Sequence, residues 1–367
     1  MSEKYEIMIA AAQELASKCK ACKFCTVDCS FLRENGMPNV IAQGVMDGTI
    51  DPALAMECSL CGLCTQVCTV RGLDPYALFQ AMRDVAVEAN PALLAPYKVL
   101  LNYEKLGLSK SFSFFGVPEG ATTLLFPGCN MPGARSDTVW DCFLKLREAD
   151  PKLGLVLHCC AKPSKMLGKI EEHEERMASV VERIAATGVS EVLVMCPNCL
   201  VTLRSAKPPF AVRTVYEVLA ERIPEPEPGM ERIRTGVHDP CVLRAERKVH
   251  EAVRTILWNT GSSVAEMKHS MHKALCCGEG GGVKFVKPEY ADAWRELRQS
   301  EASERRVVTY CAGCARQLGP EINAVHVLDL ALGREAAPVS EWPGSSKSYL
   351  ARTLLKRKAR AFFRKQG

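Results

Sequence analysis

Cysteine spacing restricts what this chain can fold into more than any other feature of it. Cys19, Cys22, Cys25 and Cys29 follow C-x2-C-x2-C-x3-C, and Cys58, Cys61, Cys64 and Cys68 repeat that spacing without deviation. Further on, Cys129 is followed after 29 residues by Cys159-Cys160 and after 35 more by Cys196-x2-Cys199. The same order returns as Cys241, 34 residues, Cys276-Cys277, 33 residues, Cys311-x2-Cys314. Adjacent cysteines cannot easily bridge each other, and one tetrahedral zinc ion rarely takes ligands that are neighbours in sequence. Nineteen cysteines in a small secreted protein would read as a disulfide framework, but here the chain has 367 residues and the cysteines are clustered. The first residues, MSEKYEIMIA, carry acids and no long apolar core, so no secretory signal is expected. No stretch reaches the ~18 uncharged apolar residues of a membrane span. The expectation is a cytoplasmic protein whose thiolates bind metal.

The pattern around the cysteines divides the chain. Residues 1–90 hold eight of them, and residues 91–120 form a connector with some helix, punctuated by Pro91, Pro96, Gly116 and Pro118. From 121 to 222, short apolar runs (TTLLF, LGLVL, VSEVLVM) each end at a cysteine group, with helical stretches such as MASVVERIAATG between them. A proline-rich linker, IPEPEPGMER (223–232), favours an extended spacer. The same order then recurs over 233–335, and both copies close alike, VRTVYEVLA against AVHVLDLAL. This is an internal duplication of roughly 100 residues per copy. Strand–helix alternation predicts parallel α/β layers in each copy, with the cysteines beyond the carboxyl ends of the strands, where such sheets bind ligands. Residues 336–367 are read as a linker and a basic C-terminal helix or tail.

The N-terminal spacing is that of the bacterial two-cluster ferredoxin run, in which the fourth cysteine ligates the other cluster. By that rule Cys19, Cys22, Cys25 and Cys68 hold one [4Fe–4S] cubane, and Cys58, Cys61, Cys64 and Cys29 the other. The usual proline after the fourth cysteine is Ser30 in one copy and Thr69 in the other. A zinc module is the competing reading, and three close cysteines are an awkward surplus for it.

In each later copy five thiolates exceed what a mononuclear tetrahedral ion can use, whereas a polynuclear iron–sulfur cluster can take them all. Gly278, Gly280, Gly281 and Gly282 allow close backbone approach beside the second pair. The first copy has Ala161, Lys162 and Pro163 instead, a stiffer and more cationic rim.

"CCGEGGG" with "HDPC" upstream and "CAGC" downstream resembles the CCG (cysteine-rich) domain. Two such domains behind a double C-x2-C-x2-C-x3-C module resemble the HdrD-type subunit of heterodisulfide reductase, equivalent to a fusion of its HdrC and HdrB subunits. The architecture is also similar to iron–sulfur subunits of anaerobic glycerol-3-phosphate dehydrogenase, glycolate oxidase and lactate-utilisation complexes. The resemblance covers about residues 15–335 and places 18 of the 19 cysteines. It implies a multidomain α+β and α/β fold: a helical two-[4Fe–4S] ferredoxin-like domain followed by two tandem α/β CCG domains. It further implies one or two additional, noncubane [4Fe–4S] clusters, at Cys129, Cys159, Cys160, Cys196 and Cys199 and at Cys241, Cys276, Cys277, Cys311 and Cys314. The second set is the one expected to act catalytically on a disulfide.

Other features narrow the reading. Cys142 in TVWDCFLKL is expected as a buried apolar residue. His158 and His238, just before cluster cysteines, are read as packing residues or as donors that tune a potential. Lys162 and Lys165 attract an anion or form a solvated rim. No G-x-G-x-x-G follows a strand and no P-loop occurs, so nicotinamide and flavin are expected on a partner rather than here. Between Lys347 and Gln366 lie eight Lys/Arg and no acids, more than the net charge of +5, so the basicity is read as that of a tail rather than of the folded body. SYLARTLLKRKARAFFRKQG is read either as an amphipathic helix, with Leu350, Leu354, Leu355, Phe362 and Phe363 on one side, or as a solvated tail. Nucleic acid is not expected as a partner, because the charge is terminal and no recognition fold surrounds it. The functional expectation is an oxidoreductase subunit relaying electrons through two cubanes to the CCG clusters for disulfide reduction. The alternative is an electron-transfer subunit without a substrate of its own, linking a flavoprotein to a quinone or membrane cytochrome. In that case the basic C-terminus would touch the inner face of the membrane.

Overall fold

A computed structural model describes residues 2–302, 306–338 and 343–365. Gln366, the end of the expected basic tail, lies outside the described residues. The chain packs as two compact units, one of residues 1–98, 163–173 and 275–298, the other of residues 99–162, 174–274 and 299–367.

The first unit is helical. Ser2 accepts a hydrogen bond from the Tyr5 N–H and caps the helix Glu3–Lys18, whose first turn carries Glu3 and Glu6 at the positive end of its dipole. Asp74 caps Pro75–Ala89 in the same way, with proline at the first helical position. These helices and Pro38–Met46 bury Met8, Leu15, Phe31, Ile41 and Phe79 in one core, which Val283, Tyr290 and Ala291 complete from the segment after the second cysteine pair.

The second unit holds two sheets. Strands β1 (Phe114–Gly116), β2 (Thr123–Phe126), β3 (Gly154–Leu157), β4 (Glu191–Val194) and β5 (Ala211–Thr214) are ordered β1-β3-β2-β4-β5. Strands β6 (Ile233–His238), β7 (Ser262–Glu266), β8 (Val307–Thr309) and β9 (Ala324–His326) are ordered β7-β6-β8-β9. Leaving out β1, the two orders are the same, and all pairs are parallel. Covered on both faces, the central strands need continuous apolar sequence, as in Gly154–Leu157, which is buried throughout. The expected connector contributes more than a spacer: its Phe114–Gly116 forms β1, antiparallel to β3. Three residues are too few to show a two-residue period in sequence.

The C-terminal basic stretch takes the helical of its two readings, and corrects the expectation that its charge lies outside the folded body. It forms the helix Ser346–Arg364, capped by Ser345. Leu355 and Ala359 are buried, and Phe362 meets Trp140 and Phe143 edge-to-face at 5.4 and 5.5 Å. Two of its eight cations belong to the folded body: Arg352 and Lys356 are both 5% exposed. The Lys356 ammonium donates to the carbonyls of Lys110 and Ser111, the latter at 2.9 Å. The apolar positions do not share one side, because Leu350 and Leu354 stay 59% and 51% exposed. No helix among the described residues is long and apolar enough to cross a membrane.

Candidate metal centres

In the first unit the eight N-terminal cysteines sort crosswise. One small cavity has Cys19, Cys22, Cys25 and Cys68 in its wall, and Cys64 lines it too. A second is lined by Cys29, Cys58, Cys61 and Cys64, with Ser59 and Trp294 beside them. The backbone repeats as faithfully as the spacing. Ala21 and Lys23 lie at φ 51° and 65°, and their counterparts Leu60 and Gly62 at 45° and 68°. Non-glycine residues take this left-handed region only when the surroundings impose it, and it turns successive N–H groups toward one concavity suited to anions. The Leu60 N–H donates to Cys58 Sγ at 3.4 Å, and the Thr69 hydroxyl, standing where a proline is usual, approaches Cys22 Sγ at 3.6 Å.

Crowding sets the electrostatics. Burial, then Cys19, Cys22 and Cys68, push the Cys25 thiol up to about 11. Burial and Cys61 push Cys58 up to about 12, while the Arg83 guanidinium pulls the other way. Cys29 and Cys64 are raised further by burial and by each other's set. Buried thiols that cannot ionise side by side are the condition that a multivalent cationic core relieves, since ligand thiols must lose their protons on binding. All of these cysteines are free thiols. The donor set therefore fits a pair of iron–sulfur clusters.

The first five-cysteine set lies wholly in the second unit, on loops leaving β2, β3 and β4. Cys129 follows β2, Cys159-Cys160 follow β3, and Cys196 caps the helix Pro197–Ser205 after β4, with Cys199 one turn in. The Cys159 thiol donates to Cys129 and holds it below the usual thiol range, while Cys159 itself is raised. Cys199 is raised by its hydrogen bonds with Cys160 and Cys196 and by burial. A Cβ on Gly128 would lie 2.8 Å from Cys199 Sγ, so only glycine fits there. Arg352 reaches this set from the C-terminal helix. Its guanidinium stacks 4.7 Å over both Tyr103 and Phe112, and its Nη1 is buried without a hydrogen-bond partner. Tyr103 in turn donates to the Cys129 carbonyl at 3.0 Å. A buried cation with one unsatisfied nitrogen beside five thiols fits an anionic thiolate-bound cluster.

The second set is divided between the two units. Cys241 opens the short turn after β6, Cys311 caps Ala312–Leu318 after β8, and Cys314 lies within that helix, all in the second unit. Cys276 and Cys277 belong to the first unit, where they are buried and the Gly278 N–H donates to Cys276 Sγ at 3.3 Å. Gly281, at φ 63°, presses so close to the Cys58 carbonyl that a side chain would collide with it. In the first copy Ala161 takes the corresponding left-handed turn at φ 52°, an alanine where the second copy has Gly278 at 95°.

Cys142 is fully buried on the helix Ser136–Arg147, away from the strand-end loops. His158 is buried and its Nδ1 lies 3.0 Å from the Cys159 carbonyl; burial holds its pKa below the usual imidazole value. His238 is fully buried at the end of β6. Several further residues support these loops. Asp239 accepts from both terminal nitrogens of Arg254 at 2.6 and 2.9 Å, from the Tyr310 hydroxyl at 2.8 Å and from the Met271 N–H at 2.6 Å. Burial alone would raise its carboxyl, but those donors hold it below the usual range. The Tyr216 hydroxyl lies 2.7 Å from the Met195 carbonyl and 2.8 Å from that of Tyr310, the residues just before Cys196 and Cys311.

The cysteine-rich domain family matches residues 123–204 and 235–319, and the 4Fe-4S dicluster domain matches residues 18–71. The chain thus carries two cysteine-rich domains behind a 4Fe-4S dicluster domain. This iron–sulfur protein is 28% identical over 276 residues to a subunit of the fumarate reductase (CoM/CoB) of Methanothermobacter marburgensis, a match covering 70% of the chain and 55% of that relative. It is 26% identical over 292 residues to a subunit of the dihydromethanophenazine:CoB–CoM heterodisulfide reductase of Methanosarcina barkeri, covering 71% of each. The EtfAB:quinone oxidoreductase of Syntrophomonas wolfei matches at 25% identity over 37% of the chain and 20% of that protein. The chain thus spans about half the length of the first of these relatives. A crystal structure of a hypothetical protein from Helicobacter pylori shares the fold with a TM-score of 0.50 at 9% identity, over 95% of this chain and 74% of that one.

Proposed function

We propose that the chain is an electron-relaying iron–sulfur oxidoreductase subunit that serves the reduction of a disulfide. In this reading Cys19, Cys22, Cys25 and Cys68 hold one [4Fe–4S] cubane, and Cys58, Cys61, Cys64 and Cys29 a second. Cys129, Cys159, Cys160, Cys196 and Cys199 hold a further, noncubane cluster. Their counterparts Cys241, Cys276, Cys277, Cys311 and Cys314 hold another, which is the catalytic one. When bound, such clusters supply one-electron transfer and a sulfur-binding iron. The chain's residues supply the rest: left-handed turns aim N–H groups at the sulfurs, Arg352 offsets negative charge at the first set, and the apolar strand ends keep water out. Cleaving a disulfide consumes two electrons and two protons and yields two thiols. The observation that carries the reading is the convergence of five free thiols at one strand-end loop cluster beside a buried guanidinium whose Nη1 has no hydrogen-bond partner.

The test is anaerobic preparation with iron and sulfide analysis and EPR. The reading expects clearly more iron than the about eight atoms that two cubanes contain. Cys160→Ser and Cys277→Ser should each remove a different signal, and the signal lost in Cys277→Ser should respond to added disulfide in the parent protein. An iron content of about eight, with both variants keeping every signal of the parent protein, would leave the five-cysteine sets without clusters.

The exposed Leu350 and Leu354 beside basic residues of the same helix favour a second reading, in which the chain passes electrons from a flavoprotein to a quinone or membrane cytochrome. A flavoprotein co-purifying with the chain, together with a Cys277→Ser variant that still carries electrons at the parent rate, would favour it.

A further inference from the structure

Arg83 is, with Arg298, one of the two largest side chains among the described residues with no exposed surface, and its surroundings are unusual for a guanidinium. It sits on the helix Pro75–Ala89 and has five N–H donors. Each meets a main-chain carbonyl. Nε donates to Ala55 at 2.8 Å, Nη1 to Met166 at 2.6 Å and Gly281 at 2.9 Å, and Nη2 to Met56 at 3.1 Å and Cys58 at 2.5 Å. These carbonyls come from three stretches of chain: the turn leading into Cys58, the loop after Lys162, and the glycine loop that follows Cys276-Cys277.

A buried ion ordinarily needs an opposite charge, yet among the described residues no carboxylate hydrogen-bonds this one. The five carbonyls satisfy its donors but not its unit of charge. Burial lowers its pKa, and Tyr97, Cys58, Tyr76 and Asp84 pull in the other direction. The Trp294 indole N–H donates to the Ser59 hydroxyl at 3.1 Å and lines the same cavity as Cys29, Cys58, Cys61 and Cys64. The ligand loop is thus braced by Arg83 from one side and by the helix after the glycine loop from the other.

We propose that Arg83 is a positioning residue whose buried charge sets the potential of the cluster held by Cys58, Cys61, Cys64 and Cys29, and whose five hydrogen bonds fix that loop to the glycine loop beside Cys276. This rests on the ligand assignment above. Each electron added to a thiolate-bound cluster makes it more negative, so a fixed neighbouring cation favours the reduced state. Low local dielectric makes the effect larger than a surface cation's would be.

Two substitutions separate charge from hydrogen bonding in the full chain: Arg83→Gln keeps amide donors and loses the charge, and Arg83→Lys keeps the charge and loses the fork. Redox titration followed by EPR should show one cubane signal moved to lower potential in Arg83→Gln, near its parent value in Arg83→Lys, and the other cubane signal unmoved in both. Cys58→Ser identifies which signal belongs to this cluster. Equal shifts in both variants, or none in either, would overturn the electrostatic role. If Arg83→Gln fails to retain iron, Arg83→Lys decides alone: retained signals at the parent potential support the charge, and loss of iron there too reduces Arg83 to a structural brace. A Cys58→Ser protein that keeps both cubane signals would instead refute the ligand assignment.

Discussion

Alanine at position 161 does the work of a glycine. The left-handed region costs a non-glycine residue about 1 kcal/mol, and Ala161 holds it while fully buried behind Cys159-Cys160. Ala161→Gly should therefore leave stability unchanged or raise it by up to about 1 kcal/mol, whereas Ala161→Val should cost about 2 kcal/mol or more, as read from urea midpoints. Asp84 gives a pH-dependent counterpart. Burial raises its carboxyl to about 6, against the opposing hydrogen bond from Gln80. The folded chain then binds this proton more tightly than the unfolded chain, so the group's contribution is fully present below pH ~4 and is lost as pH rises toward ~6. Asp84→Asn should be more stable than the parent at pH 7, with a smaller difference at pH 5. A difference that grows toward low pH would show that the carboxylate is the favoured form. At this scale the sequence was legible only where chemistry is local. The eight N-terminal cysteines could be grouped by spacing because that spacing is short-range along the chain. Arg83, Tyr216 and Arg352 could not be found, because their partners lie tens to hundreds of positions away and nothing about one arginine announces that it will be buried.

Among the elements, the C-terminal helix departs furthest from expectation. Basic composition suggested solvent, but Phe362 and Phe363 fill space against Trp140, Phe143 and Phe114, and Arg352 and Lys356 follow them inward with their charged ends hydrogen-bonded or stacked. What stays outside is a short row of Leu350 and Leu354 with Lys347 and Lys358 beside them in one shallow depression. If that row meets an anionic bilayer, the chain should sediment with phosphatidylglycerol vesicles and not with phosphatidylcholine ones. Leu354→Glu should abolish the sedimentation without changing thermal stability by more than about 0.5 kcal/mol. Indifference of binding to this substitution would leave the row as ordinary surface. The strands were easier to read than this helix. Each apolar run ends at a cysteine, so strand and ligand marked each other, whereas β1 is too short to carry a period and was absorbed into the connector.

For the molecule, the duplication is the organising fact, and it was visible as two cysteine patterns before any strand order was known. The matching orders β3-β2-β4-β5 and β7-β6-β8-β9 give it physical form. The copies are not interchangeable. Tyr216 closes the first copy and has Leu328 as its counterpart in the second, so the hydroxyl that reaches both Met195 and Tyr310 exists once. Tyr216→Phe should cost about 1–3 kcal/mol, because two buried carbonyls lose their donor. Its distinguishing mark should be that EPR signals assigned by Cys160→Ser and by Cys277→Ser both broaden or shift. A change confined to one of them would mean that the loops are held independently.

That single phenol has a consequence for how such a repeat can diverge. Once twin modules lean on one shared proton, neither can drift freely: a substitution that displaces either ligand loop strains its sibling as well. Glycine can disappear from one rim, as it has here, while the sulfur-bearing turns on both sides remain tethered to a common post.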